Sequence, residues 1–352
     1  MELGASYHIR IRSRDQGGVN SPWFYYGGNL DIGVAGATYS DADFVVPASD
    51  SSLFQTTYII GNGAYVQELI AAQSKYSIKT SNFRLSSPNH MDRDLSGNIY
   101  YIETDSVGTV VKRMSTVYPY VITRIGILPS MTSLSIDQPN NILYAGDGNN
   151  IYKLSLTTPS TGFIRITGGN AVGYGDGYPS EVKFNNITDI AISPDGKTLY
   201  IADYANHRVR KLNLDASAVD YLSVSLLVGS GLGANTAGTY QGASILNPYT
   251  LEVSQDGETL FVGNNGNIFR IAIAQNKATF FRTGYVQVYT ITKDRTGDYL
   301  YVYDNQLRKI STDEVFKGGE GNPILGGGYS EGIGAGGAGK FASSIQGMVE
   351  VS

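Results

Sequence analysis

Three carboxylates, Asp92, Glu252 and Glu350, stand at equivalent places in short apolar segments that recur along this 352-residue chain. Ser135, Ala191 and Thr292 occupy the same place in the other segments. Side chains alternate along a strand, so this register presents small or acidic groups to one side. The neighbouring register, Arg93, Ile136, Ile192, Val253, Lys293 and Val351, is mostly apolar, with two cations. Clustered carboxylate oxygens are the ligands of hard cations. Asp92, Glu252 and Glu350 are therefore candidates for holding Ca²⁺, with Thr292 beside them. The plainer reading is a solvated space with scattered charges and no cofactor.

Other chemistry is poorly supplied. The chain has no cysteine, which removes disulfides, thiolate metal sites and cysteine nucleophiles. Its three histidines, His8, His90 and His207, do not repeat from segment to segment, so a multi-histidine zinc site is not expected. Gly173-Tyr174-Gly175-Asp176-Gly177 and the glycine-rich stretch near 326–339 look superficially like phosphate loops. A phosphate cradle needs a preceding strand and a following helix, and neither context is present. The expected use of these glycines is in left-handed turns.

The elements that would position the carboxylates come from a six-fold repeat. Its best copy, residues 195–212, reads DGKTLYIADYANHRVRKL. The aromatic of its second strand recurs as Tyr58, Tyr101, Tyr144, Tyr200, Phe261 and Tyr301, spaced 40 to 61 residues apart. Such a period holds about four short strands with their turns. Each copy has an apolar strand, a turn rich in Asp, Gly, Pro and Asn, and the aromatic strand. A second turn then opens on Asp or Asn (Asp147, Asp203, Asn264, Asp304), and a third strand carries Lys or Arg. The turn carboxylate is expected to bond the turn's own backbone, and the cation to lie on a wet outer edge.

Residues 168–212, with the GxGDG turn, the Pro194-Asp195-Gly196 step and the LYIADxxNHRVRKL strand pair, resemble the NHL repeat. The resemblance is specific there and weaker elsewhere after about residue 40. It implies an all-β fold, a β-propeller of four-stranded antiparallel blades, usually six, that binds through one flat face. A seventh inner strand is expected to open at Met348–Val351, so seven blades are the alternative to the favoured six. Residues 1–22 resemble the end of a fibronectin type III domain through Leu3, Tyr7, Ile9, Ile11, Gly17, Gly18, Ser21 and Pro22. The alternative is a strand that closes the ring. The expected division is thus 1–22 and 23–352, within a longer protein.

Composition narrows the role. The net charge of −5, without a Lys/Arg run, disfavours nucleic acid as partner. No apolar stretch is long enough to span a membrane. The chain is rich in tyrosine, 26 in all, a residue that gives large contact area at low entropic cost. The leading reading is a non-enzymatic binding or scaffold module for protein or glycan, extracellular or at a cell surface, in an adhesion protein or larger filament. The alternative is a metal-dependent hydrolase or lyase of the six-bladed propeller type, using the channel carboxylates.

Overall fold

A computed structural model describes residues 89–105, 108–115, 121–169, 171–294, 296–312 and 323–326, with four short strands nearer the N-terminus. The chain divides into two compact units, residues 1–59 with 65–83, and 60–64 with 84–352. In the first, β1 (Ser6–Tyr7) pairs with β4 (Phe44–Val45), and β2 (Arg10–Ile11) with β3 (Phe24–Tyr25). The second hairpin joins residues on either side of the expected boundary at 22. The Tyr58 copy, Glu350 and the expected seventh inner strand at 348–351 lie outside the described residues.

The second unit is a β-propeller of four-stranded antiparallel blades, five of them among the described residues. Blade 1 is β5 (Asn89–Arg93), β6 (Ile99–Asp105), β7 (Gly108–Met114) and β8 (Ile122–Leu128). Blade 2 is β9 (Ser133–Asp137), β10 (Ile142–Gly146), β11 (Asn150–Ser155) and β12 (Ile164–Gly168). Blade 3 is β13 (Ile187–Ile192), β14 (Thr198–Asp203), β15 (Arg208–Asn213) and β16 (Val224–Val228). Blade 4 adds a short β17 (Gly238–Thr239) outside β18 (Thr250–Val253), β19 (Thr259–Gly263), β20 (Asn267–Ala272) and β21 (Lys277–Thr283). Blade 5 is β22 (Thr290–Lys293), β23 (Tyr299–Tyr303), β24 (Gln306–Ser311) and β25 (Pro323–Gly326). The inner strands β5, β9, β13, β18 and β22 follow one another as neighbours. In every blade the pairing of third and fourth strands slips by a bulge at the same place, which adds twist.

No blade shelters its apolar faces alone. Tyr100, Ile102 and Val111 of blade 1 pack on Leu134, Ile136 and Leu143 of blade 2. Tyr144 and Ile151 on the other face of blade 2 meet Ile190, Leu199 and Ile201 of blade 3. Blade 3 meets blade 4 through Tyr200, Val209, Leu251 and Leu260, and blade 4 meets blade 5 through Phe261, Ile268, Ile291 and Leu300. The repeated aromatic is an inter-blade plug at Tyr144, Tyr200 and Phe261, whereas in blade 1 Tyr100 takes that place rather than the expected Tyr101. Each such side chain contributes on the order of 1.5–3 kcal/mol by burial.

The lead-in to blade 3 is held by a side chain whose role the sequence did not reveal. Arg210 is fully buried. Its guanidinium donates to Asp203 at 3.0 Å and Asp176 at 2.6 Å, and to the carbonyls of Lys183 and Gly175. Its flat face lies over Phe184 and Tyr174. The GxGDG turn therefore wraps an arginine, and Gly177, at φ +121°, supplies the turn. The expected wet cation is the next residue, Lys211, which is half-buried. Asp203 holds its turn through the Asn206 side chain rather than a backbone amide of the turn, and it also accepts from the Asn185 amide and from Arg210. Asp147 does fix its own turn, accepting from the amides of Asn149 and Asn150.

Arg210→Ala leaves Asp203 buried and unpaired, so urea unfolding should show a loss of about 3–5 kcal/mol. Arg210→Lys, which cannot reproduce the forked donors, should recover only part of it.

Candidate functional site around the propeller axis

An inner strand has one neighbour in its own blade, so every second backbone N–H on its other edge points toward the axis without a ladder partner. Side chains of the preceding blade fill this gap. The Ile136 amide donates to Asp92 Oδ2 at 2.7 Å, closing the junction of blades 1 and 2. The Ile192 amide donates to Ser135 Oγ at 3.2 Å, between blades 2 and 3. The Leu251 amide donates to Asp189 Oδ2 at 2.8 Å, between blades 3 and 4. Between blades 4 and 5, the Ile291 amide donates to Thr250 Oγ1 at 3.3 Å and the Lys293 amide to Glu252 Oε2 at 3.2 Å. The clasp always runs forward, from a side chain of one blade to the backbone of the next.

This places the residues singled out from sequence. Asp92, Ser135 and Glu252 share the expected register, but each is engaged at a blade junction. The second oxygen of Asp92 accepts from the Arg93 amide at 2.7 Å. The second oxygen of Glu252 takes the Lys293 ammonium. Thr292 lies on β22 opposite Tyr301 and is half-buried. Glu350 lies outside the described residues. Among those residues, no three His, Asp or Glu side chains lie at metal-ligand spacing.

Sequence alignment missed Asp189 and gave His90 no particular place. A bulge in β5 places His90 at φ +36°, a strained value for a side chain other than glycine. The imidazole is thereby brought within 3.6 Å of Asp189, two blades on. That separation is too long for a hydrogen bond. The signal that could have identified Asp189 is its place two residues before Ala191, where blades 4 and 5 carry Thr250 and Thr290. His207 takes a backbone role: it caps a 3-10 turn in the left-handed region, and its Nδ1 accepts from the Asn247 amide.

Burial dominates the electrostatics here. It pushes Asp189 up to about 7 and Asp92 up to about 6, against the lowering effect of their amide donors. It pushes His90 down to about 4. Lys293 is shifted the other way from its burial: burial disfavours its charge, but Glu252 and Asp92 hold its ammonium above the ordinary range. A cavity of about 350 Å³ at the blade 2 edge, lined by Arg165, Thr167, Gly168 and Pro179, contains none of these groups. We place no site there.

A row of tyrosines rises beside the clasps. Tyr249 and Tyr289 immediately precede β18 and β22, Tyr204 sits on the turn after β14, and Tyr303 ends β23. Successive ring centroids are 6.1, 6.1 and 6.0 Å apart.

Comparison with known proteins agrees with this architecture. Residues 184–212 match the NHL repeat. No curated protein matches the chain. Among solved structures, an auxiliary nutrient binding protein from Bacteroides thetaiotaomicron VPI-5482 is similar at TM-score 0.50 and 14% identity, over 63% of this chain and 57% of that one. An auxiliary nutrient binding protein from Bacteroides ovatus ATCC 8483 is similar at TM-score 0.50 and 10% identity, with the same coverage. This chain therefore spans a little over half the length of each.

The raised carboxyls carry a pH signature. Relative to the unfolded chain, folded Asp92 and Asp189 keep their protons to higher pH, so their contribution is greatest below about pH 4 and is lost as pH rises through 6 and 7. His90 acts oppositely, gaining as pH rises from about 4 through 6.5. The two carboxyls outweigh the one imidazole, so urea midpoints should fall between pH 5 and 8. Asp189→Asn should flatten that fall. Asp189→Ala, which leaves the Leu251 and Ile190 amides without acceptors, should lose about 1–3 kcal/mol at pH 5.

Proposed function

We propose that this chain is a non-enzymatic binding or scaffold module that presents a propeller face to a protein or glycan. The observation that carries the reading is the use made of the axial carboxylates. Asp92, Asp189 and Glu252 are occupied by backbone amides and Lys293, where a hydrolase or lyase would need them free to meet substrate. Half-exposed tyrosines stand on the same end of blades 3 to 5 and suit contact rather than turnover. The setting proposed is extracellular or cell-surface, within a longer multidomain protein. It is supported by the likeness of residues 1–22 to the end of a fibronectin type III domain. The fold neighbours named as nutrient-binding proteins are compatible with a binding role.

The test is to incubate the purified chain with an array of glycans and extracellular matrix proteins, with and without added calcium. We expect saturable binding that calcium leaves unchanged, and mass spectrometry should recover the bound ligand intact. Calcium-dependent cleavage of any arrayed glycan would favour the hydrolase or lyase reading.

A further inference from the structure

We propose that Tyr204, Tyr249 and Tyr289 form a subsite for a sugar ring, taking a neutral pyranose at the axial end of blades 3 to 5. The inference rests on the binding-module reading and assigns it a place and a ligand class.

The argument starts from a contrast between blades. The residue before the first axial clasp position is Thr132 in blade 2, Thr188 in blade 3, Tyr249 in blade 4 and Tyr289 in blade 5. The two threonines close their junctions with a single bond each. Thr132 Oγ1 donates to the Ile187 carbonyl at 2.8 Å, and Thr188 Oγ1 to the Pro248 carbonyl at 3.0 Å. A small hydroxyl residue is therefore enough to seal a junction at this position. Blades 4 and 5 use tyrosine instead, and the packing beneath is already supplied by buried neighbours, Pro248 and the fully buried Val288. The rings of Tyr249 and Tyr289 stand half-exposed, as does Tyr204 beside them.

The rings form an ordered group. Tyr204 and Tyr249 meet at 77° between planes, and Tyr249 and Tyr289 at 89°. Tyr303, almost fully buried, backs the row against Tyr289 at 41°. Such edge-to-face contacts fix ring orientation in advance of any ligand. Burial first, then Tyr289, Tyr204 and Asp189, push the Tyr249 phenol upward. Its hydroxyl thus stays protonated and able to donate. Tyr204, Tyr289 and the Asp189 carboxyl lie close enough to Tyr249 to act on its phenol, and His90 is 3.6 Å from Asp189.

The chemistry selects the ligand. A half-exposed tyrosine offers an apolar face bounded by a hydroxyl. A pyranose offers an apolar C–H face bounded by hydroxyls, and it pairs with such a row through stacking and neutral hydrogen bonds. Asp189, the carboxyl nearest the row, is buried and already accepts from the Ile190 and Leu251 amides, so it is not presented to a charged ligand there.

The experiment is native affinity electrophoresis of the whole chain in gels containing galactomannan, xyloglucan, mixed-linkage β-glucan or dextran, followed by calorimetry with oligosaccharides of whichever polymer retards it. We expect retardation in at least one gel. Tyr249→Ala and Tyr289→Ala should each weaken binding about tenfold or more, and Tyr289→Phe, which keeps the ring, should weaken it less. Val219→Ala, at a fully exposed remote position, should bind as the parent does. Circular dichroism checks the fold of each variant, and Tyr204→Ala on the surface turn replaces any that fails to fold. Absence of retardation in every gel overturns the proposal, as does tyrosine-dependent binding of tetramethylammonium in place of sugar. Retardation that survives all tyrosine variants also overturns it, but leaves the binding-module reading standing with its site elsewhere.

Discussion

The structure depends on a single kind of bond, the clasp from an inner-strand side chain to an axial-edge amide of the next blade's inner strand. A propeller blade is too small to be stable alone, and its innermost strand exposes backbone groups where water access is poor. Hydrophobic plugs between blades supply most of the association, but they are non-directional. The clasps are directional. Asp92, Ser135, Asp189, Thr250 and Glu252 together set the height and spacing of five successive blades. An orphaned buried amide costs more than a formed bond gains, so the clasps act chiefly by forbidding misregistered blades.

That role explains why the described carboxylates near the axis, Asp92, Asp189 and Glu252, are engaged by backbone amides and Lys293. Their oxygens are turned sideways, along the ring, toward backbone donors. The acids sit at the cost of raised pKa values, offset by the amides they satisfy. The tyrosine row then becomes the feature in excess of structural need, because threonine does the sealing in blades 2 and 3 while larger, half-exposed rings occupy blades 4 and 5.

Much of the fold was legible in the chain. The recurring aromatic, from Tyr101 to Tyr301, marked the second strand of each described blade, because a period-two apolar pattern with regular turns has few other solutions. The site was less legible. Asp92 and Glu252 were found because they sit in an alignable register, but alignment carries no information on which way a carboxylate turns. Asp189 was hidden because its equivalents are Thr250 and Thr290, residues that share its acceptor oxygen and not its charge. The place of His90 was not legible because it depends on a bulge in β5, a backbone irregularity with no composition signature. Arg210 was hidden by an exposed-looking strand pattern, and its partners lie some 30 residues upstream in the GxGDG turn.

Amide hydrogen exchange tests the clasp most directly, because it reads each donor separately. The amides of Ile136, Ile192, Leu251, Ile291 and Lys293 have no partner within their own blades on the axial edge, yet this account has them exchanging only through global unfolding. Exchange of these five at the rate of open loop amides, while the paired amides of β10, β14 and β19 stay protected, would contradict it.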